Sequence, residues 1–219
     1  VEFAAPGVMV TEFLGAKTWG PEDVASAPER VAALLRAFHQ RMPTEVEGTG
    51  VIFWPFHVIR DYARALSRGG SPHKAKLDGY LALADEMEVA QVPLPIVFGH
   101  HDLLPANILE TGDRKLWLID FEYAGFGTAM FDLAGAASNA GMDAERAVRL
   151  LTAYFGAPPD AALVRSFAAM QVTSLLREAM WAMVSALHLR APGVDYAAYA
   201  DENLEKLDAA LARYRKQYG

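Results

Sequence analysis

Apolar residues recur at helical spacing through most of this chain, and only a few short windows break that rhythm. Val31, Leu34, Leu35 and Phe38 mark one face of an amphipathic helix that the pattern predicts from Pro28 to about Met42-Pro43. A polar loop, 44 to 50, leads to Phe53-Trp54-Pro55-Phe56. Helical stretches follow near 57–68 and 73–91, separated by the turn-forming Arg68-Gly69-Gly70-Ser71-Pro72. Pro93 and Pro95 end the helical pattern. Ile96-Val97-Phe98 then reads as a short buried strand, and Ile108-Leu109 with Leu116 to Ile119 as a hairpin around Thr111-Gly112-Asp113. Past Gly127 the periodicity predicts helices over 129–139, 143–155, 160–190 and 195–217, with breaks at Gly156-Ala157-Pro158-Pro159 and Ala191-Pro192-Gly193. Gly7 to Leu14 is a β-rich run stopped by Gly15. No repeat or low-complexity tract interrupts this order. The expected fold class is α+β, predominantly α-helical, with one small β element.

Composition narrows the possibilities. The 219 residues are 53% hydrophobic, enough for a sizeable core and incompatible with disorder. Cysteine is absent, which excludes disulfides, zinc–thiolate sites and cysteine nucleophiles and fits a reducing cytoplasm. A net charge of −7 argues against nucleic acid as a partner and mildly favours a cationic small molecule. The first residues lack a basic start and an apolar stretch, so no signal peptide is expected, and no window reaches the length of a membrane span. Gly15-Ala16-Lys17-Thr18 imitates a phosphate-binding loop, but that pattern needs glycine at position 10, which is Val.

The β element carries the chemistry. Asp102, Asn107 and Asp120 lie in two short stretches, 98–109 and 116–125. They supply one acid placed to handle a proton, an amide oxygen five residues later, and a second acid at the end of an apolar strand. Phosphoryl transfer needs such parts: a group that orients the attacking hydroxyl, and oxygen ligands for Mg²⁺. Asp102 is the candidate catalytic residue, since a carboxylate that aligns the hydroxyl and takes its proton late suffices for a largely dissociative transition state. Asn107 and Asp120 are candidate metal ligands, one neutral and one anionic. Glu122 joins them if the strand continues past Asp120, because residues two apart share a face. His100 and His101 make a poor joint ligand pair, since neighbours in an extended segment point to opposite sides. Position 101 is expected to face solvent or nucleotide.

These residues resemble the choline/ethanolamine kinase family, part of the wider aminoglycoside-phosphotransferase group with its protein-kinase-like fold. The resemblance rests on His100, Asp102, Leu103 and Asn107 in the pattern H-x-D-L-x-x-x-N, on Ile119 to Tyr123 (I-D-F-E-Y), and on Phe131 to Ala134. It implies a mostly helical C-terminal lobe over 16–219 and a small β hairpin carrying the catalytic loop. Residues 1–15 would be a remnant of the hinge strand, with Glu12 and Phe13 at the adenine, and no upstream nucleotide-binding lobe. On that expectation the 219 residues alone are inactive. ATP and Mg²⁺ are the implied cofactors. His100 would pack beneath the loop and bond to backbone, and Asp132 would hold loop amides as a scaffold residue. Glu122 moves the resemblance towards the choline kinases, because aminoglycoside kinases tend to have glycine there.

A quaternary ammonium group needs aromatic faces and negative charge, each cation–π contact being worth roughly 0.5–2 kcal/mol. Ser174, Glu178, Trp181 and Ser185 fall on one face of the helix predicted over 160–190, and Tyr123 is a second aromatic candidate. Tyr123, Glu178 and Trp181 are therefore the candidate substrate-binding residues. The competing reading makes Trp181 core filler and pairs Glu178 with an arginine. The expected function is transfer of the ATP γ-phosphate to choline or a related amino alcohol. Alternatives are a kinase of another alcohol (thiamine, an aminoglycoside or a sugar), a non-catalytic module of the same fold, and, more distantly, a metal hydrolase.

Overall fold

The computed structural model describes residues 2–5, 8–189 and 192–219. The chain opens with an antiparallel pair, β1 (Glu2–Ala5) with β2 (Val8–Val10). The β-rich run expected over Gly7 to Leu14 is shorter: Gly7 lies outside the described residues, and Thr11 to Gly15 carry no regular structure. The chain becomes regular again at β3 (Ala16–Thr18), which is the segment that imitates a phosphate loop. Its backbone is committed to a ladder with β5 (Ile108–Thr111), Lys17 opposite Glu110, and β5 pairs in turn with β6 (Leu116–Leu118). A second small sheet joins β4 (Ile96–Gly99) to β7 (Gly125–Thr128), and residues 51–53 bond along the outer side of Phe126.

The helices are α1 (Pro21–Ser26), α2 (Pro28–Glu45), α3 (Pro55–Arg68), α4 (Leu77–Val89), α5 (Ala129–Asn139), α6 (Ala144–Phe155), α7 (Ala161–His188) and α8 (Tyr196–Tyr218). Several begin one residue later than the sequence pattern predicts because the acid read as the first helical residue is the cap. Asp143 accepts from Arg146 N at 2.8 Å, Asp160 from Leu163 N at 2.8 Å, and Asp195 from Ala197 N and Ala198 N. Helix α2 runs two residues past Pro43, since a proline this close to the end costs a single backbone bond.

Helix α7 is the axis of the molecule. Phe167, Met170, Leu176, Met180 and Met183 on it are buried, and it packs against α8, α5, α3 and α4. Helix α5 can lie close because its inner face is small: Ala134, Ala136 and Ala137 are buried, and a Cβ at Gly135 would sit 3.8 Å from Ser174 Oγ. Fully burying one such Leu, Phe or Met contributes about 1.5–3 kcal/mol. Helix α2 packs against α6 on one side and β4 on the other. Between them, α2 and α5 form the floor on which the β4–β7 sheet rests. No helix among the described residues is long and apolar enough to cross a membrane.

Candidate active site

Strand β4 ends at Gly99 and delivers His100, His101 and Asp102 to one edge of the β5–β6 hairpin. The loop is fastened from below by Asp132, which is buried in the first turn of α5. Asp132 Oδ1 accepts from His101 N at 2.7 Å, and Oδ2 accepts from His100 N at 2.8 Å. The same Oδ2 meets His39 Nε2 at 2.8 Å, and His39 Nδ1 meets the Tyr154 hydroxyl at 2.7 Å. Burial alone would push the Asp132 carboxyl up. The His39 bond and the loop amides reverse that and hold it well below the usual carboxylate range. Tyr154, at the far end, is pushed up to about 12 by burial and by the charge of Asp132.

His100 Nε2 donates to Ile119 O at 2.8 Å, and its Nδ1 accepts from Asp102 N at 3.3 Å, so the ring bridges the two acidic stretches as the neutral Nε2–H tautomer. Ile119 is pinned from its other side too, its N–H donating to Asn107 O at 3.1 Å. The residue that follows, Asp120, is therefore launched from a peptide fixed at both ends. It takes φ +66°, which aspartate tolerates better than most residues. This turn ends the strand, so the face-sharing expected for Asp120 and Glu122 does not hold. Residues 119–124 form an irregular loop on which Asp120 and Glu122 are both exposed.

Asn107 is buried at the end of a short 3-10 turn, Pro105–Asn107. Its Nδ2 donates to Asp102 O at 2.9 Å, and no donor among the described residues meets its Oδ1. The oxygen end is thus left for a ligand. Together with the Asp120 carboxylate it would make a hard, all-oxygen donor set, suited to Mg²⁺, which commonly takes one or two carboxylates and completes its shell with water and phosphate oxygens. No cluster of three or more His, Asp or Glu capable of holding a metal occurs among the described residues. A histidine-based hydrolase centre at His100-His101-Asp102 therefore has no support.

His101 is placed differently from expectation. It does not face solvent or nucleotide; it is 1% exposed, at φ +62°, with its ring stacked on Phe53 at 4.2 Å and 13°. The left-handed backbone turns its ring inward alongside His100 and cancels the alternation of an extended strand. Nδ1 donates to Tyr123 O at 3.2 Å, while Nε2 is buried without a partner. Burial lowers its pKa and keeps it neutral. The ring fits only because Gly99 and Gly127 lack side chains: a Cβ would stand 2.4 Å and 2.9 Å from His101 Nε2.

Asp102 is half-buried, and its pKa is raised to about 6 by desolvation, opposed by Arg177 and reinforced by Glu178 and Asp120. Its carboxylate thus feels the charges of the second acid and of the Arg177–Glu178 pair on α7. On the α7 flank, Arg177 is 2% exposed and donates from Nη1 to Glu178 Oε2 at 2.7 Å. Glu178 Oε1 accepts from the Tyr199 hydroxyl at 2.9 Å, and Trp181 Nε1 donates to the Tyr123 hydroxyl at 2.9 Å. Trp181 also meets Tyr196 and Tyr199 edge-on, with centroids 6.0 and 6.2 Å apart. Tyr123, Glu178 and Trp181 are therefore brought together, and the arginine pairing with Glu178 is present as well. Ser174 and Ser185, on the same helix face, are buried in the interior.

Glu12 and Phe13 lie apart, in the irregular segment before β3, with Phe13 92% exposed. Phe53, Arg177, Tyr196, Tyr199 and the His39–Tyr154 pair were not picked out from the sequence. One signal was there to read: Arg177-Glu178 is a charged pair inside an otherwise apolar helical stretch, Leu175 to Met183. The aromatics carried no such mark, because their value comes from packing between distant elements.

Comparison with known proteins gives the site its context. Residues 2–166 match the phosphotransferase enzyme family (APH). A probable ethanolamine kinase of Arabidopsis thaliana is 28% identical over 136 residues, covering 57% of this chain and 36% of that protein. Ethanolamine kinase 2 of Mus musculus is 33% identical over 79 residues, 36% of this chain and 20% of that protein. The matched part thus spans about a third or less of either relative. A choline/ethanolamine kinase family protein from Mesorhizobium loti superposes with a TM-score of 0.79 at 28% identity, covering 96% of this chain and 72% of that one. Choline kinase LicA from Streptococcus pneumoniae gives 0.73 at 20% identity, over 93% and 69%, a likeness of fold. The architecture is accordingly the helical C-terminal lobe of a protein-kinase-like fold, and this chain belongs to the phosphotransferase enzyme family.

Proposed function

We propose that the chain is the catalytic lobe of an amino-alcohol kinase, which moves the γ-phosphate of ATP to the hydroxyl of choline or a close relative with Mg²⁺. The observation that carries this reading is that the Asp102 loop is tied to the Asp120 stretch through His100 and Asn107, and that Asp102 feels the charges of Asp120 and of the Arg177–Glu178 pair, beside which Tyr123 and Trp181 meet. A hydroxyl on a cation held by the cluster would approach Asp102, whose carboxylate aligns it and takes its proton as the phosphoryl group departs from ADP. A pKa raised to about 6 leaves Asp102 ionised at neutral pH yet more basic than an ordinary carboxylate. Asn107 and Asp120 would hold the metal, which supplies positive charge to the phosphate oxygens when bound, and Glu122, exposed on the same loop without sharing a strand face with Asp120, is the further candidate ligand. His100 and Asp132 support the loop without touching substrate. Glu12 and Phe13 would line the adenine side, and the LicA fold has also been solved with AMP.

The aromatic faces favour a quaternary ammonium. Both Glu178 oxygens already accept a bond, so a primary ammonium would have to share them. The ethanolamine kinases among the relatives support the primary amine as the second reading. The deciding experiment assays the full-length parent protein with ATP and Mg²⁺ against choline, ethanolamine, thiamine and aminoglycosides. Choline turnover that is lost in Asp120→Ala is expected, as is a Trp181→Ala variant whose KM rises for choline far more than for ATP. Phosphorylation of a kanamycin-like substrate with choline inert would overturn the assignment.

A further inference from the structure

We propose that Arg177 is a positioning residue for the acceptor pocket: a buried cation that sets the spacing between Glu178 and Trp181 on α7 and the loop carrying Tyr123. The inference rests on the amino-alcohol reading of that pocket and adds a residue to it.

The case begins with cost. Arg177 is 2% exposed, and its Nε and Nη2 are buried with no hydrogen-bond partner. A guanidinium left partly unsatisfied in a protein interior is expensive, and a methionine or leucine would fill the same volume without that burden. Burial works against the charge, but Glu178, Tyr62 and Asp102 around it more than restore it. The charge is therefore kept where a neutral side chain would serve the core better.

What the cation touches suggests why. Nη1 holds Glu178 Oε2 at 2.7 Å. The guanidinium carbon lies 4.7 Å from the centre of the Tyr123 ring and 5.9 Å from that of Phe53. Tyr123 is the only element of the cage that comes from the loop beyond Asp120; Glu178 and Trp181 come from α7, Tyr196 and Tyr199 from α8. That loop is irregular, so its aromatic ring needs an external support to stand at a fixed distance from the helix. Arg177 gives it one face, and the Trp181 indole fixes its hydroxyl at 2.9 Å. Phe53 extends the same stack to His101, beside Asp102. One buried cation thus touches the helix, the loop and the Phe53 ring stacked on His101, the neighbour of Asp102 in sequence.

The test uses the 219-residue chain labelled with 5-fluorotryptophan, which gives four ¹⁹F signals, one for each tryptophan. A Trp181→Phe sample identifies the Trp181 signal. In the free protein, Arg177→Met and Tyr123→Phe should each shift and broaden that signal, and Arg177→Lys should move it less. By calorimetric titration at a temperature where all variants are folded, Arg177→Met should bind choline about tenfold more weakly or worse. Arg177→Lys should recover part of that loss, and AMP affinity should be unchanged. An unmoved Trp181 signal in Arg177→Met, or a choline affinity that falls only in step with thermal stability, would reduce Arg177 to a core residue. If the unaltered chain binds neither choline nor ethanolamine while the Trp181 signal still responds to Arg177→Met, the amino-alcohol reading fails and the positioning of the pocket by Arg177 stands.

Discussion

Asp132 and His39 meet at 2.8 Å in the interior, and through the Asp132 carboxylate that contact ties α2 to the loop carrying the candidate catalytic acid. The carboxylate also accepts from the amides of His100 and His101, so its loss would release three donors at once. Replacing Asp132 with Asn keeps the shape, removes the charge and turns one acceptor into a donor. We expect a loss of about 3–5 kcal/mol, the usual effect of breaking a buried charge-assisted network. Urea unfolding checks this, and a loss below about 1 kcal/mol would show that the loop does not depend on the contact.

The same residue predicts an acid limb. Its pKa is lower in the folded state than in the unfolded chain, so the unfolded state binds the proton more readily as pH falls. The stabilisation is fully present above about pH 4, the unfolded carboxylate value, and is lost progressively below it. Asp132→Asn should flatten that limb. An unaltered slope of stability against pH between about 2 and 4 would argue that other carboxylates carry it.

Asp102 has the opposite sign. Its folded pKa of about 6 lies above the ordinary 3.8, so between those values the folded state binds more protons and stability falls as pH rises. An Asp102→Asn variant escapes this. In metal-free buffer it should be more stable than the parent by roughly 1–3 kcal/mol at about pH 7.5, with the difference vanishing near about pH 3.5. Under the proposed function, phosphoryl transfer should fall at least about a hundredfold. A variant less stable than the parent at neutral pH would mean that its hydrogen bonds outweigh the burial of its charge.

Gly127 faces two neighbours at once: a Cβ there would stand 2.5 Å from Phe53 O and 2.9 Å from His101 Nε2. Gly127→Ala should therefore cost about 1–3 kcal/mol through overpacking and displace the His101 ring. Thermal unfolding reads the first effect, and the His101 ring signals in NMR read the second. Gly112, whose surroundings are open, is the control: Gly112→Ala should leave the His101 signals in place.

The long elements were legible in the sequence because each is decided locally. Helices α5 to α8 follow from apolar periodicity and from Asp, Gly and Pro at their ends, and α6 stops at the expected break, where Gly156 takes the left-handed conformation. The meeting of Asp102, Asn107 and Asp120 in one candidate site was legible for a similar reason, since the tight loop after β4 and the β5–β6 hairpin bring near neighbours in sequence together. Two readings went astray where one backbone dihedral decided the outcome. His101 and Asp120 both sit at positive φ, and period-two alternation fails at such a residue. Phe53 and Tyr199 were invisible for another reason. Phe53 acquires its role from contact with a ring 48 positions away in sequence and Tyr199 from an acid 21 away, and no local pattern encodes either meeting.

The left-handed turn at Asp120 has a practical consequence. Asparagine visits that region of backbone space as comfortably as aspartate, and the two are nearly the same size. An Asp120→Asn exchange would thus subtract a negative charge while sparing the conformation of the loop, whereas Asp120→Ala disturbs both. The pair of variants would separate what the charge contributes from what the shape contributes at one position.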